Sequence, residues 1–120
     1  MRNREIRQWY RQQVSAILQH NEQWRSQGLS AEQRARRAWE IRGRVRLEAR
    51  EMMTDPAEVE MLRRRDLGKY GRPDGPSFEQ LVEALRGRLS GDSLFEELIR
   101  QAARTDPGTD RLLAPPEQEP

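Results

Sequence analysis

Apolar side chains in the first 26 residues recur at intervals of three and four, which is the spacing of one face of an α-helix. They are Ile6, Trp9, Tyr10, Val14, Ile17, Leu18 and Trp24. Four further segments show a similar spacing, and no stretch alternates apolar and polar residues for more than a few positions. A β-sheet with one solvated face would show that alternation. We therefore predict an all-α chain, a compact bundle of four to five helices with a rigid Gly/Pro loop between helices three and four.

Capping residues mark where the predicted helices begin. Ser30 with Gln33 and Ser77 with Gln80 have the spacing of a capping box. Asp55 stands before a proline, as an N-cap does when proline occupies the first helical position. The helices are then expected at about residues 3–26, 30–53, 55–68, 77–89 and 90–104.

The composition agrees with helices that keep wide solvated faces. Apolar residues make up 34% of the chain and charged residues 35%, against roughly 45–50% and about 25% in ordinary domains. A length of 120 residues fits one domain. We assign it to residues 1–113 and predict that the proline-rich, acidic tail, residues 114–120, is disordered.

Missing residue types narrow the chemistry. The chain has no cysteine, so disulfides, zinc-thiolate sites and thiol nucleophiles are excluded, and it has one histidine, His20. No apolar run approaches the roughly 18–20 residues of a membrane span, and the N-terminus lacks the apolar core of a signal peptide. We expect no metal, no cofactor, no membrane association and a cytoplasmic location. A Mg²⁺ site formed by Asp66 and Asp74 stays open as an alternative.

Charge is divided unevenly along the chain. Residues 1–53 carry 12 arginines against 6 glutamates, a net charge of +6, and residues 54–120 carry 10 basic and 14 acidic residues, a net charge of −4. The two halves could attract each other in the fold. Alternatively, the first half could present a basic face to phosphates.

The second predicted helix has a face dense in arginine. It carries Arg34, Arg36, Arg37, Arg42, Arg44, Arg46 and Arg50. Arg42, Arg46 and Arg50 are four residues apart, and such a row can follow a phosphate backbone or clamp a polyphosphate. The alternative is a solvated face whose arginines pair with glutamates of the same helix. Aromatic residues do not alternate with these arginines, so the sequence does not support a stacking platform for single strands.

The segment from Tyr70 to Pro76 holds two glycines and two prolines in seven residues, which fixes one backbone path. Loops of this kind often carry function when a rigid scaffold holds them. Asp66, Tyr70 and Asp74 are close in sequence and could converge there. The alternative is a stiff connector in which Asp74 is only a turn residue.

These segments together resemble the small helical C-terminal domains of bacterial Rhs-type and related polymorphic toxin proteins. The resemblance covers roughly residues 30–106, and its specific part is the Tyr-Gly-x-Pro-Asp-Gly-Pro loop. It is carried by residues 38–42, Arg46, 50–53, 65–67, 70–71, 73–82, Arg104 and Thr105. The chain departs from the pattern at Arg72, where a small polar residue is expected, and at residues 101–103, where serines are expected.

The resemblance implies an effector that acts inside a competing bacterium, on nucleic acid or a nucleotide, and that reaches the target cell without a classical signal peptide. It also implies a cognate immunity protein, acidic and covering the basic face. Two other functional hypotheses stay open. The chain could be a non-catalytic helical module that binds nucleic acid or an acidic protein, or it could be an adaptor of a phage or secretion system. The oligomeric state and any enzymatic activity are undetermined. The site residues that the resemblance implies are Asp66, Tyr70 and Asp74 for catalysis, and Arg42, Arg46, Arg50, Arg104 and Thr105 for substrate binding.

Overall fold

In the computed structural model, the described residues are 3–73 and 75–104, and they form five α-helices and no strand. The helices are α1 (Asn3–Ser26), α2 (Ala31–Met52), α3 (Pro56–Tyr70), α4 (Phe78–Leu85) and α5 (Gly91–Ala103). The predicted all-α class is confirmed. Within the described part of the chain, no helix is both long and apolar enough to cross a membrane.

The core lies between α1, α2 and α5, which pack against one another, and α4 packs against α5. Helix α2 contributes mainly alanines, Ala35, Ala38 and Ala49, each without exposed surface. Small side chains let neighbouring helices approach, and the larger apolar side chains of α1 and α5 fill the space between them. Those larger side chains are Ile6, Tyr10, Val14, Ile17, Leu94, Leu98 and Ile99.

The predicted caps form. Ser30 and Gln33 make both hydrogen bonds of a capping box, at 2.9 and 3.2 Å. Ser77 and Gln80 do the same at 2.8 and 3.1 Å. The Asp55 carboxylate accepts a 2.9 Å hydrogen bond from the first turn of α3. These local signals fix where α2, α3 and α4 begin, and therefore which residues can face one another across the loops.

Several predicted details are wrong. Leu18, which its spacing places on the apolar face of the first helix, is 50% exposed. Helix α3 continues past Gly68 to Tyr70, because Gly71 supplies the left-handed C-cap with φ 71°. Helix α4 is shorter than predicted and ends at Leu85, just before a turn that contains a glycine.

Helix α3 is attached by few side chains. Among its 15 residues, Leu62 and Asp66 are the buried ones. They are four residues apart and therefore lie on the same side of the helix. An apolar anchor and a carboxylate together hold α3 to the bundle, and the carboxylate leads directly to the candidate site.

Candidate functional site

Asp66 of α3 lies between Arg46 and Arg50 of α2, and all three side chains are buried. One terminal nitrogen of Arg46, Nη2, is 3.0 Å from Asp66 Oδ2 and 3.3 Å from Oδ1. Arg50 Nη2 donates a hydrogen bond to Asp66 Oδ2, and Arg65 Nη2 lies 3.5 Å from Oδ1. We call Arg46, Arg50 and Asp66 the buried charge cluster. Both carboxylate oxygens therefore accept from guanidinium nitrogens, and such hydrogen bonds between charged groups are stronger than those between neutral groups.

The same two arginines support the loop that follows α3. Arg50 Nη1 donates a 2.7 Å hydrogen bond to the carbonyl oxygen of Pro73. Gly75 has φ 94°, and a Cβ atom at that position would collide with Nη1 of Arg46. Glycine is needed here for both reasons, the positive φ and the close approach. The buried charge cluster therefore fixes the path of the loop from beneath.

The prediction of one outward arginine face on α2 is wrong in part, because Arg34, Arg46 and Arg50 are buried. Arg34 donates to Asn21 Oδ1 at 2.7 Å and to Glu96 Oε1 at 2.9 Å. Helix α2 packs against α1 and α5 through its apolar face. Arg46 and Arg50, which lie beside that face, are covered by α3 and the loop after it. As a result, Arg42, Arg46 and Arg50 do not form an exposed row that could follow a phosphate backbone.

The other predicted site residues are spread out. Tyr70 is half-buried at the end of α3, and its carbonyl oxygen accepts a 2.8 Å hydrogen bond from Gln80 Nε2. Arg104 is exposed after α5. Asp74 and Thr105 lie outside the described residues. In the described part of the chain, no hydrogen bond or ion pair joins Tyr70 or Arg104 to Asp66, so the structure brings together three of the predicted residues, Arg46, Arg50 and Asp66.

A groove runs between α2 and the segment that leads into α4, and it was not predicted from the sequence. Its volume is about 510 Å³. Four arginines and two glutamates line it, so its net charge is +2. We call it the basic groove; its lining is Arg36, Trp39, Glu40, Arg42, Gly43, Arg44, Leu47, Arg72, Pro76, Ser77, Phe78 and Glu79. The signal that could have revealed it is the three- and four-residue spacing of residues 36, 40, 43 and 47, which defines a second, mixed face of α2.

Aromatic rings hold two of the groove arginines in place. The guanidinium of Arg42 lies 4.5 Å from the centre of the Trp39 ring, and that of Arg36 lies 4.5 Å from the centre of the Phe78 ring. Trp39 is itself anchored, because its indole Nε1 donates a 3.1 Å hydrogen bond to the carbonyl oxygen of Pro76. Each cation–π contact contributes about 0.5–1 kcal/mol at an exposed site. The rings therefore position arginines, and these faces are not open for stacking with bases.

Glu79, one of the two glutamates that line the groove, is paired with Arg36. Its carboxylate Oε1 is 3.3 Å from Arg36 Nη1. A backbone hydrogen bond at the start of α4, and then the hydrogen bond from Arg36, lower the pKa of Glu79 from its ordinary value of 4.5. Glu79 is consequently ionised at neutral pH and competes with any external anion for Arg36.

Comparisons of the chain with protein-family models, with curated proteins and with solved structures give no match. Across residues 3–73 and 75–104, no group of three or more His, Asp or Glu side chains is placed to hold a metal ion. The groove itself presents exposed and half-buried guanidinium groups around a concave surface.

Proposed function

We propose that this chain is a helical binding module that holds a nucleic acid in the basic groove. The observation that carries the proposal is the gathering of Arg36, Arg42, Arg44 and Arg72 around one concave surface. Guanidinium groups bind phosphate oxygens with two parallel hydrogen bonds, and phosphate contacts supply most of the affinity for nucleic acids. The positive charge of the first half of the chain would favour encounter with such a ligand.

The way the arginines are held supports binding. Arg42 and Arg36 rest on aromatic rings before any ligand arrives. Ordering a long side chain on binding costs about 0.5–1.5 kcal/mol, and part of that cost is avoided when the side chain is already held. Arg44 and Arg72 are exposed at the groove and lie outside the buried charge cluster, so they suit mutation.

The environment of Asp66 supports a structural role over a catalytic one. A general base must come within about 2.6–3.2 Å of the proton that it removes. Asp66 is 1% exposed, and its carboxylate is held by Arg46 and Arg50. A substrate could reach this carboxylate only if the cover formed by α2, α3 and the loop after α3 opened. A binding function uses the exposed arginines and needs no such opening.

Fluorescence anisotropy with a labelled oligonucleotide, in about 50 mM salt where phosphate contacts are strong, tests the proposal. We expect the parent chain to bind, and the pair Arg44→Gln and Arg72→Gln to weaken binding about tenfold or more. The matched control is the pair Arg63→Gln and Arg88→Gln, which removes the same charge from exposed positions outside the groove. No binding by the parent, or equal losses in both double variants, would refute the groove as the site.

A second candidate is the toxin effector that the resemblance implies, acting on nucleic acid in a competing bacterium. The observation that favours it is the buried charge cluster beneath the Tyr70–Pro76 loop. Burying charged groups is costly even when they are paired, and a loop held in this way is suited to carry function. Under this effector hypothesis, an acidic immunity protein would cover the basic groove.

Growth of a bacterial culture after expression of the chain in the cytoplasm tests the effector reading. Tyr70→Phe and Asp74→Asn are the informative variants, since Arg46 and Asp66 are buried and their loss would disturb the fold. Asp92→Asn, an exposed carboxylate on α5, is the control. If the parent chain arrests growth, and a folded Tyr70 or Asp74 variant does not, the result supports an effector. Normal growth while the chain is well expressed would refute the hypothesis of an active toxin and favour that of a binding module.

A further inference from the structure

Gly43 lies in the middle of the 22-residue helix α2 and lines the basic groove. Glycine inside a helix is less favourable than alanine, because the glycine backbone loses more conformational freedom on folding. Such a glycine can have a local reason, either in the backbone conformation or in the space that a side chain would occupy; where it has neither, as also at Gly68 in α3, it leaves the helix surface open.

Neither reason is found among the described residues. Gly43 is helical and is not one of the glycines with positive φ. A Cβ atom built on it would have no neighbouring atom within 4 Å. Gly75 is the contrast, since it needs its positive φ and its missing Cβ to fit against Arg46. The space above Gly43 is open, and it opens into the groove.

We propose that Gly43 is the floor of the basic groove, where the sugar–phosphate backbone of a single-stranded nucleic acid lies against α2. This inference rests on the proposed binding function. Arg42 and Arg44 flank the floor, and Leu47 gives it an exposed apolar side chain, 41% exposed. A missing Cβ lets a backbone approach the helix closely, as glycines do where a chain meets a ligand.

The shape of the site favours a single strand over a duplex. A duplex is recognised by elements that protrude into its grooves, the wider of which is about 12 Å across, whereas this site is a recess. Single strands are tracked along positively charged grooves. Because Arg42 and Arg36 cover faces of the Trp39 and Phe78 rings, we expect contacts to the backbone with little preference for base sequence.

Gly43→Ala in the full chain tests the inference, with thermal denaturation and anisotropy on a labelled oligo(dT) as the two measurements. Alanine should raise Tm by about 4 °C, the shift expected when a helix-interior glycine is replaced in a domain of this size. It should also weaken oligo(dT) binding about tenfold, because the Cβ occupies the floor. The matched control is Gly68→Ala, which is also helical and open but lies outside the groove. It should raise Tm similarly and leave binding unchanged.

The outcomes separate this inference from the proposed function. If Gly43→Ala binds oligo(dT) as tightly as the parent does, while the Arg44 and Arg72 double variant loses binding, the role of Gly43 is refuted. Nucleic-acid binding in the basic groove would still be supported. If a duplex of the same length, or a polyglutamate peptide, binds more tightly than oligo(dT), the single-strand assignment is refuted. If the parent binds none of these probes, both proposals fail.

Discussion

Replacement of Asp66 by asparagine should destabilise the fold strongly. Asp66 is 1% exposed, and Arg46 and Arg50 share its carboxylate. Removing one partner from a buried ion pair costs about 3–5 kcal/mol, because the remaining charge loses its counter-ion but stays buried. A small domain has a free energy of unfolding of about 5–15 kcal/mol, so the loss is a large fraction of the whole. With a urea m-value of about 2 kcal/mol/M, the unfolding midpoint should fall by roughly 2 M.

Urea denaturation followed by tryptophan fluorescence measures this loss, with the exposed Asp92→Asn as control. The control should change the free energy of unfolding by less than about 1 kcal/mol. Replacing Arg46 and Arg50 by methionine and Asp66 by leucine together should recover much of the stability, since apolar groups of similar size can substitute for a buried charge cluster. An Asp66→Asn midpoint close to that of the parent would refute the structural role and leave the carboxylate available for chemistry.

Three further predictions concern the loop and the groove. Gly75→Ala should lower the free energy of unfolding by about 2 kcal/mol in the same denaturation assay, because φ 94° is unfavourable for alanine and its Cβ meets Arg46; an unchanged midpoint would contradict this. Ser77→Ala removes the cap of α4 and should cost about 1 kcal/mol; a loss below a few tenths would show that the cap contributes little. Glu79→Gln should tighten oligonucleotide binding a few-fold at neutral pH, because it removes the nearer of the two carboxylates that pair with Arg36, Glu79 and Glu32. Because the pKa of Glu79 is lowered from 4.5, Glu79 stays ionised and paired with Arg36 above pH 4.5, and the pair is lost as the pH falls through the lowered pKa. The oligonucleotide affinities of parent and variant should therefore become equal only below pH 4.5. Equal affinities at neutral pH would refute the competition.

The helices were predictable because their signals are local. Apolar spacing and the Ser-x-x-Gln pairs lie within a few residues of the structure that they specify. The differences arose where two local signals competed. Gly68 looked like a helix end, but Gly71 offers the left-handed cap, and the helix continues to it. Leu18 fits the stripe of α1 by spacing, yet spacing alone does not tell which part of the stripe is covered, and half of this side chain stays exposed.

The site was less predictable because it depends on tertiary contacts. Sequence spacing placed Arg42, Arg46 and Arg50 on one side of α2 but could not say that α3 and the following loop cover two of them. Trp39 and Phe78 are far apart in the sequence, so their meeting in one groove is visible only in the fold. The expectation that aromatic rings do not accompany these arginines is therefore wrong: Arg42 lies on Trp39 of the same helix, and Arg36 lies on Phe78, which is distant in the sequence.

Titration of the ¹⁵N-labelled chain with oligo(dT), followed by NMR of the tryptophan indoles, tests the central claim most directly. Trp39 Nε1–H donates to Pro76 at the edge of the basic groove, whereas Trp9 lies on α1 and does not line it. We predict a saturable shift of the Trp39 indole signal, with the Trp9 signal unmoved. Saturable binding that leaves Trp39 unmoved, or that moves Trp9 instead, would place the site elsewhere and contradict the account.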